Sequence, residues 1–351
     1  MTGQQTALYH LALRETHETL GATFGRRDGW SLPEQYGDPA AEYRAIRSAA
    51  ALIERSHRSR FMVTGTDAGE VLRAAFAGHV EELEEGRAMR SVALNDRGEI
   101  SDIVLIVRTG GIAYLVTGEP GRRAATLAHM ESKAAADFDV RIEDRTETTC
   151  LVGLVGPGAD QAAQHHLAEG LPARLQMLHS ATFQFHGFRA VATRTSDLGE
   201  DGFELMLAPA VAKHVIETLV AAAVPLAGSI AQTWARVEAC IPAFAPDLET
   251  GLSPAEADID VLLDIPGGRE RWMLSAILVD GDAIPAAGTA VHIGTQRVGE
   301  LRSAVHSPAL GAVAGLAVIE TGRAMPGTAL DLDGIRATIV AKPLYRRRPS
   351  P

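Results

Sequence analysis

Cysteine is nearly missing from this chain of 351 residues. Two are present, Cys150 and Cys240, too few for a disulfide framework and in no metal-type spacing. Both read as small buried apolar residues. Aromatic side chains are also scarce, at 5% with only five Tyr, so a flat ligand would find little stacking surface. No apolar run approaches a bilayer span, since Leu219–Ile230 and Ala309–Ile319, the richest, are broken by Pro or Gly. The N-terminal residues 4–19 are polar and interrupted, unlike a secretory segment. The expectation is a cytoplasmic protein without a membrane partner. Clustered positive charge is lacking too. The net charge of −11, with one basic run at Arg346-Arg347-Arg348, argues against nucleic acid as a partner.

What is present is 46% hydrophobic residues over a length that suggests two or three domains. A helical pattern starts the chain, with Leu8, Leu11, Leu13 and Leu20 on one face, and is ended by Gly25 and the Gly29–Pro33 segment. A second helix is expected over Ala40–Leu52, then a strand over Arg60–Thr64 and a helix over Ala68–Phe76. Gly86–Leu94 and Ile100–Val107 read as a hairpin joined by Asn95-Asp96-Arg97-Gly98. Further strands and single helices follow without regular βαβ spacing, which indicates α+β. After a Pro-, Gly- and acid-rich stretch at 240–270, short strands from Trp272 on predict a small β-barrel or sandwich. A boundary near Pro266-Gly267-Gly268 divides the chain into residues 1–268 and 269–351.

The chain is organised around Arg194–Glu204, a short turn between apolar runs. Before it, Phe183–Thr193 reads as a hairpin around His186-Gly187. Gly199 and Gly202 permit φ > 0 or close backbone approach, so the turn either presents Glu200 at a fixed angle or is an ordinary solvated acidic turn. His165-His166 reads as an exposed helix face without a second ligand pair.

The order of motifs resembles the aminomethyltransferase (glycine-cleavage T-protein) family of folate-binding proteins. The matching pieces are Pro33…Tyr36, Glu42-Tyr43…Arg47, Ser56-His57, Leu94-Asn95…Gly98…Ile100-Ser101-Asp102 and Gly156-Pro157. Arg194-Thr195…Gly199-Glu200-Asp201-Gly202-Phe203-Glu204, Arg236-Val237-Glu238-Ala239, Val298-Gly299-Glu300 and Lys342-Pro343-Leu344-Tyr345 continue the same order. The resemblance implies three domains around a central cavity that holds the folate pterin. It also implies a folate-dependent one-carbon transferase, passing a methyl or methylene group to tetrahydrofolate. The donor would be a small molecule or a lipoyl carrier protein. By the same resemblance Asp102 is the catalytic Asp, acting as base, Glu200 the pterin anchor and Arg236 a cavity arginine. A carboxylate suits the pterin's N–H edge, and an Arg keeps such a carboxylate ionised.

Departures from the family pattern bear on the cavity. Ile103 stands where a second acid is usual, while Asp197 and Arg90 stand where aromatic residues are usual. Asp197 and Arg90 are therefore expected at the ligand, in a more polar site. The cysteine motif of the Fe–S-assembly branch is absent, which counts against that branch. Alternatives in other classes are a folate-binding accessory protein without turnover and an enzyme of this fold that no longer uses folate. His57 reads as a structural histidine, and Glu119 as an acid that faces the cavity.

Overall fold

The computed structural model describes residues 8–167, 175–185, 187–249, 251–259 and 270–347. The expected boundary at 266–268 and the hairpin residue His186 lie outside the described residues.

Two five-stranded sheets form the body. One runs Ser180–Phe185, Phe188–Thr195, Gly202–Leu207, Cys150–Val155 and Ala51–Glu54. The other runs Ala88–Leu94, Ile100–Gly110, Ala113–Gly118, Ser59–Thr64 and Arg141–Asp144. All their pairings are antiparallel. Each sheet buries one face under helices, as period-two alternation requires. Val104 and Ile106 point at the helix Ala68–Ala75, packing with Val71's neighbours Ala68, Leu72 and Ala75. Leu105 and Val107 point the other way, where with Ala88 and Leu115 they meet Met206 of the first sheet. The two sheets thus face one another, and the short link 55–58 carries the chain from one to the other.

The C-terminal part is a closed barrel of six strands, Trp272–Val279, Ala312–Glu320, Gln296–Ser307, Ala290–Ile293, Ala329–Leu332 and Ile335–Val340. Its interior is filled by aliphatic side chains such as Ile277, Val298, Leu301 and Ile339. Closure leaves no sheet edge open to pairing. The α+β class and the C-terminal barrel are therefore as the sequence indicates.

The first helical expectation needs correction. Among the described residues of this region only Arg14–Thr19 is helical, and Thr23–Arg27 and Trp30–Gln35 are paired strands in a three-stranded sheet. Leu11 packs there with Trp30 and Leu32, while Leu13 is buried in, and Leu20 packs against, the core of the first five-stranded sheet, so the leucines do not form one helix face. The second helix is Pro39–Ser48, started by Pro39 and by Asp38, whose side chain accepts from the Ala40 N–H. It stops short of Leu52 because Ala51–Glu54, all four buried, is claimed as the edge strand of the first sheet.

Candidate active site

A cavity of about 410 Å³ opens at the end of the space between the two sheets. Its walls come from separate parts of the chain. Arg27 and Asp28 sit on the N-terminal hairpin, Arg55, His57 and Arg58 on the link between sheets, and Arg90, Ile103 and Glu119 on the second sheet. Asp197 and Leu198 come from the turn of the first sheet, and Gln232, Thr233 and Arg236 from the helix Ser229–Glu238. No Tyr, Trp or Phe is among these lining residues.

Asp197 is the hub. Its carboxylate lies 2.6 Å from Arg90 Nη2, 3.0 Å from Arg55 Nη1 and 3.5 Å from Arg58 Nη1. Burial pushes such a carboxyl up, but Arg90, Arg55 and Arg58 together outweigh it and hold Asp197 well below the usual carboxylate range. Glu204, buried on the strand Gly202–Leu207, stands 3.3 Å from Arg55 Nη1 and 3.4 Å from Arg58 Nη1. Glu119 stands 3.5 Å from Arg58 Nη2. Burial raises the Glu119 carboxyl above its ordinary value, and Arg58 opposes that. His57 is pushed down to about 3, first by burial and then by Arg55 and Arg58, so its imidazole is neutral. Arg236 donates to Asp247 Oδ2 at 2.6 Å and to Ser303 Oγ at 2.9 Å, so the barrel braces it from behind.

Arg90, Asp197 and Arg236 thus all line the cavity, and Arg90 and Asp197 pair with each other. Glu119 faces it as well. His57 lines it too. Two expectations need correction. Asp102 lies on the Val104 and Ile106 side of its strand and turns away from the cavity, while Ile103 faces it. At 1% exposure, Asp102 accepts from Thr126 Oγ1 at 2.5 Å and from the N–H groups of Ile103 and Glu119 at 2.8 and 3.1 Å. Burial raises it to about 7 despite these bonds. Its carboxylate thus holds the backbone N–H of Glu119, which lines the cavity.

Glu200 is likewise absent from the cavity wall. Gly199, at φ +83°, brings the turn so close to the helix Ser229–Glu238 and its cap that an added Cβ would meet Ala239 Cβ at 2.8 Å. Glu200 is thereby turned to the C-terminal segment, where Tyr345 Oη donates to its Oε1 at 2.5 Å. Arg47 lies 3.8 Å from Glu200, stacks over Tyr345 at 3.8 Å and donates to Glu238 at 2.9 Å. Glu238 also accepts from Tyr43 Oη and Ser307 Oγ, both at 2.5 Å. These bonds fasten the barrel and tail to the body.

Residues the sequence reading passed over are Arg55, Arg58 and Glu204. A signal was present: Arg55, Arg58 and Arg60 fall within six positions. Only the structure separates them, because Arg60 turns into the body and is consumed by Thr149 Oγ1 and the carbonyls of Ser56, Arg58 and Thr149.

Among known proteins, a family model described as the GCVT N-terminal domain matches residues 13–266. One described as the glycine cleavage T-protein C-terminal barrel domain matches 271–346. The aminomethyltransferase of Rubrobacter xylanophilus is 32% identical over 99% of this chain and 95% of its own. That of Streptomyces avermitilis is 30% identical over 97% and 98%. The crystal structure of the glycine cleavage system aminomethyltransferase T from Bartonella henselae superposes with a TM-score of 0.88. It is 22% identical, with 97% of this chain and 99% of that one covered, which speaks to fold. On the two family models and these full-length relatives, the chain belongs to the aminomethyltransferase, or glycine-cleavage T-protein, family of transferases.

Proposed function

We propose that this protein is a one-carbon transferase that moves a methyl or methylene group to tetrahydrofolate within the central cavity. The observation that carries this reading is the convergence of seven separated chain segments on one space containing Glu119, an acid whose carboxyl burial raises. A carboxyl raised above its ordinary value holds a proton more readily and is suited to passing it to or from a reactant.

Folate fits the space in part. About 410 Å³ lies in the range of ligand pockets. The N–H edge of a pterin needs carboxylate acceptors, and Glu119 and Asp197 line the cavity. Guanidinium planes at Arg55, Arg58 and Arg90 offer flat faces where aromatic rings are missing. When bound, tetrahydrofolate supplies the nitrogen that accepts the one-carbon unit. The chain's own work is narrower. Glu119 takes or returns the proton, Asp102 and Thr126 fix the backbone at Glu119, and Arg236 and Arg27 stand ready for the carboxylates of reactants. Asp247 and Ser303 hold Arg236 in place. The donor is a small molecule or a lipoyl-carrying protein arm.

Asp197 favours a second reading. Three guanidiniums already claim it, so its capacity to accept from a pterin is reduced. On that reading the fold has kept its cavity and changed its ligand. Thermal shift with folinic acid and tetrahydrofolate separates the two. At about a hundred times its dissociation constant a ligand stabilises by roughly 2.7 kcal/mol. A shift followed by formation of methyl- or methylene-tetrahydrofolate supports the transferase. A shift without turnover supports an accessory folate-binding protein, and no shift supports the changed ligand.

A further inference from the structure

We propose that Arg60 is a positioning residue for the cavity: from inside the body it sets the course of the link 55–58, and so the placement of Arg55, His57 and Arg58 at the wall. This rests on the reading of the cavity as the place where reactants bind. It names a residue that shapes that place without lining it.

Arg60 is 0% exposed. The five N–H donors of its guanidinium all end on neutral oxygens. Nε donates to Thr149 Oγ1 at 2.9 Å, and Nη1 to the carbonyls of Ser56 and Arg58 at 3.0 and 2.5 Å. Nη2 donates to the carbonyls of Thr146 and Thr149, the latter at 2.9 Å. Burial pulls Arg60 down to about 10, which leaves it charged at neutral pH. A cation buried against carbonyls alone is a costly way to fill a core, and an apolar side chain would fill the same volume at less cost. What the guanidinium adds is geometry, because its rigid plane fixes the directions of all its bonds.

The location of those carbonyls carries the argument. The chain crosses between the facing sheets at 55–58, from Ala51–Glu54 to Ser59–Thr64. It crosses back at 145–149, from Arg141–Asp144 to Cys150–Val155. Arg60 ties the two crossings together. The carbonyls of Ser56 and Arg58 flank His57, and both converge on Nη1, while the side chains of Arg55, His57 and Arg58 line the cavity. Other anchors act in the same sense. Glu54 Oε1 accepts from the Ser56 N–H at 2.6 Å, and the Leu151 carbonyl accepts from the Arg55 N–H at 2.9 Å. The link holds no Gly or Pro that would set its course locally. The reach of Arg55 to Asp197 and Glu204, and of Arg58 to Glu204 and Glu119, therefore depends on where Arg60 holds the crossings.

The test uses the full-length protein and follows His57, whose ring is neutral because burial, with Arg55, Arg58 and Arg27, outweighs Glu54. In isotope-labelled wild type the ring signal, assigned with His57→Gln, should not titrate between about pH 5 and pH 8. Arg60→Lys keeps the charge with three donors in place of five, so the link loosens and water reaches the ring. The His57 signal should then titrate above about pH 5, and calorimetric affinity for tetrahydrofolate should fall by about tenfold or more. Thr149→Val removes the acceptor of Arg60 Nε and should move both readouts the same way by less, which decides the matter if Arg60→Lys does not fold. Val279→Ala, in the barrel core, lowers stability away from the crossings and should move neither. An unmoved His57 or an unchanged affinity in the folded variant overturns the proposal, as does an equal change in Val279→Ala. Absence of tetrahydrofolate binding to wild type removes the folate reading alone, and the His57 titration then decides this one.

Discussion

At the scale of single residues, Asp102 shows how burial decides a role. An ordinary Asp titrates near 3.9, whereas Asp102 is raised to about 7 by burial that outweighs its bonds from Thr126 and the backbone. The folded state therefore binds the proton more tightly than the unfolded chain. This contribution to stability is fully present below about pH 4 and is lost as pH rises to about 7, at about 1.4 kcal/mol per pH unit crossed. Asp102→Asn removes the titration. Chemical denaturation of the variant and wild type at pH 5 and pH 8 should show the variant gaining relative to wild type at the higher pH. A difference independent of pH would refute the assignment. Glu119 occupies the opposite situation, at the cavity wall. Glu119→Gln should lower turnover by about a hundredfold or more while leaving the affinity for tetrahydrofolate nearly unchanged, as loss of a general acid or base does. A rise in KM with kcat intact would instead make Glu119 a binding residue.

The next scale is that of strands, turns and the tail. Gly118 ends its strand so close to Asp102 that an added Cβ would lie 2.6 Å from Oδ2 and 2.9 Å from Ser59 Oγ. Gly118→Ala should destabilise by about 1–3 kcal/mol, measured by urea denaturation, because buried polar atoms on two strands must move. The tail offers a second test. Tyr345→Phe deletes the bond to Glu200, a hydrogen bond to a charged group, and should cost about 1.5–3 kcal/mol without altering ligand affinity. Loss of ligand binding in this variant would return Glu200 to the site. Such elements mark the limit of what the sequence discloses. The Asn95–Gly98 hairpin, the helix Ala68–Ala75 and the barrel strands were legible because turn residues and period-two or helical patterns are local. Which side of a strand Asp102 occupies was not legible, since Asp102 and Ile103 differ by one pleat and only the packing of Val104 and Ile106 against helices fixes the phase. Glu200 likewise looked available until the tail, some 145 residues further on, was seen to claim it.

At the scale of the whole molecule, the α+β class and the C-terminal barrel were visible in the strand, helix and turn patterns, and a central cavity was expected from the family resemblance, whereas the facing of two five-stranded sheets was not read from the sequence. The cavity's composition was visible only in outline. Arg90 and Asp197 stood out against aromatic residues in the sequence, but their pairing and the addition of Arg55, Arg58 and Glu204 depend on chain segments that meet only after folding. Among the described residues no barrel side chain lines the cavity. The barrel acts through Ser303 and Ser307, which hold Asp247 and Glu238 beneath the helix Ser229–Glu238. The central claim is that reactants bind in this arginine-walled space. It is tested most directly by calorimetric titration of tetrahydrofolate into wild type and into Ile103→Trp, whose enlarged side chain would occupy the cavity from its wall. The account predicts saturable binding to wild type that is lost in the variant while its thermal unfolding stays cooperative. Equal binding by both proteins, or none by wild type, would contradict it.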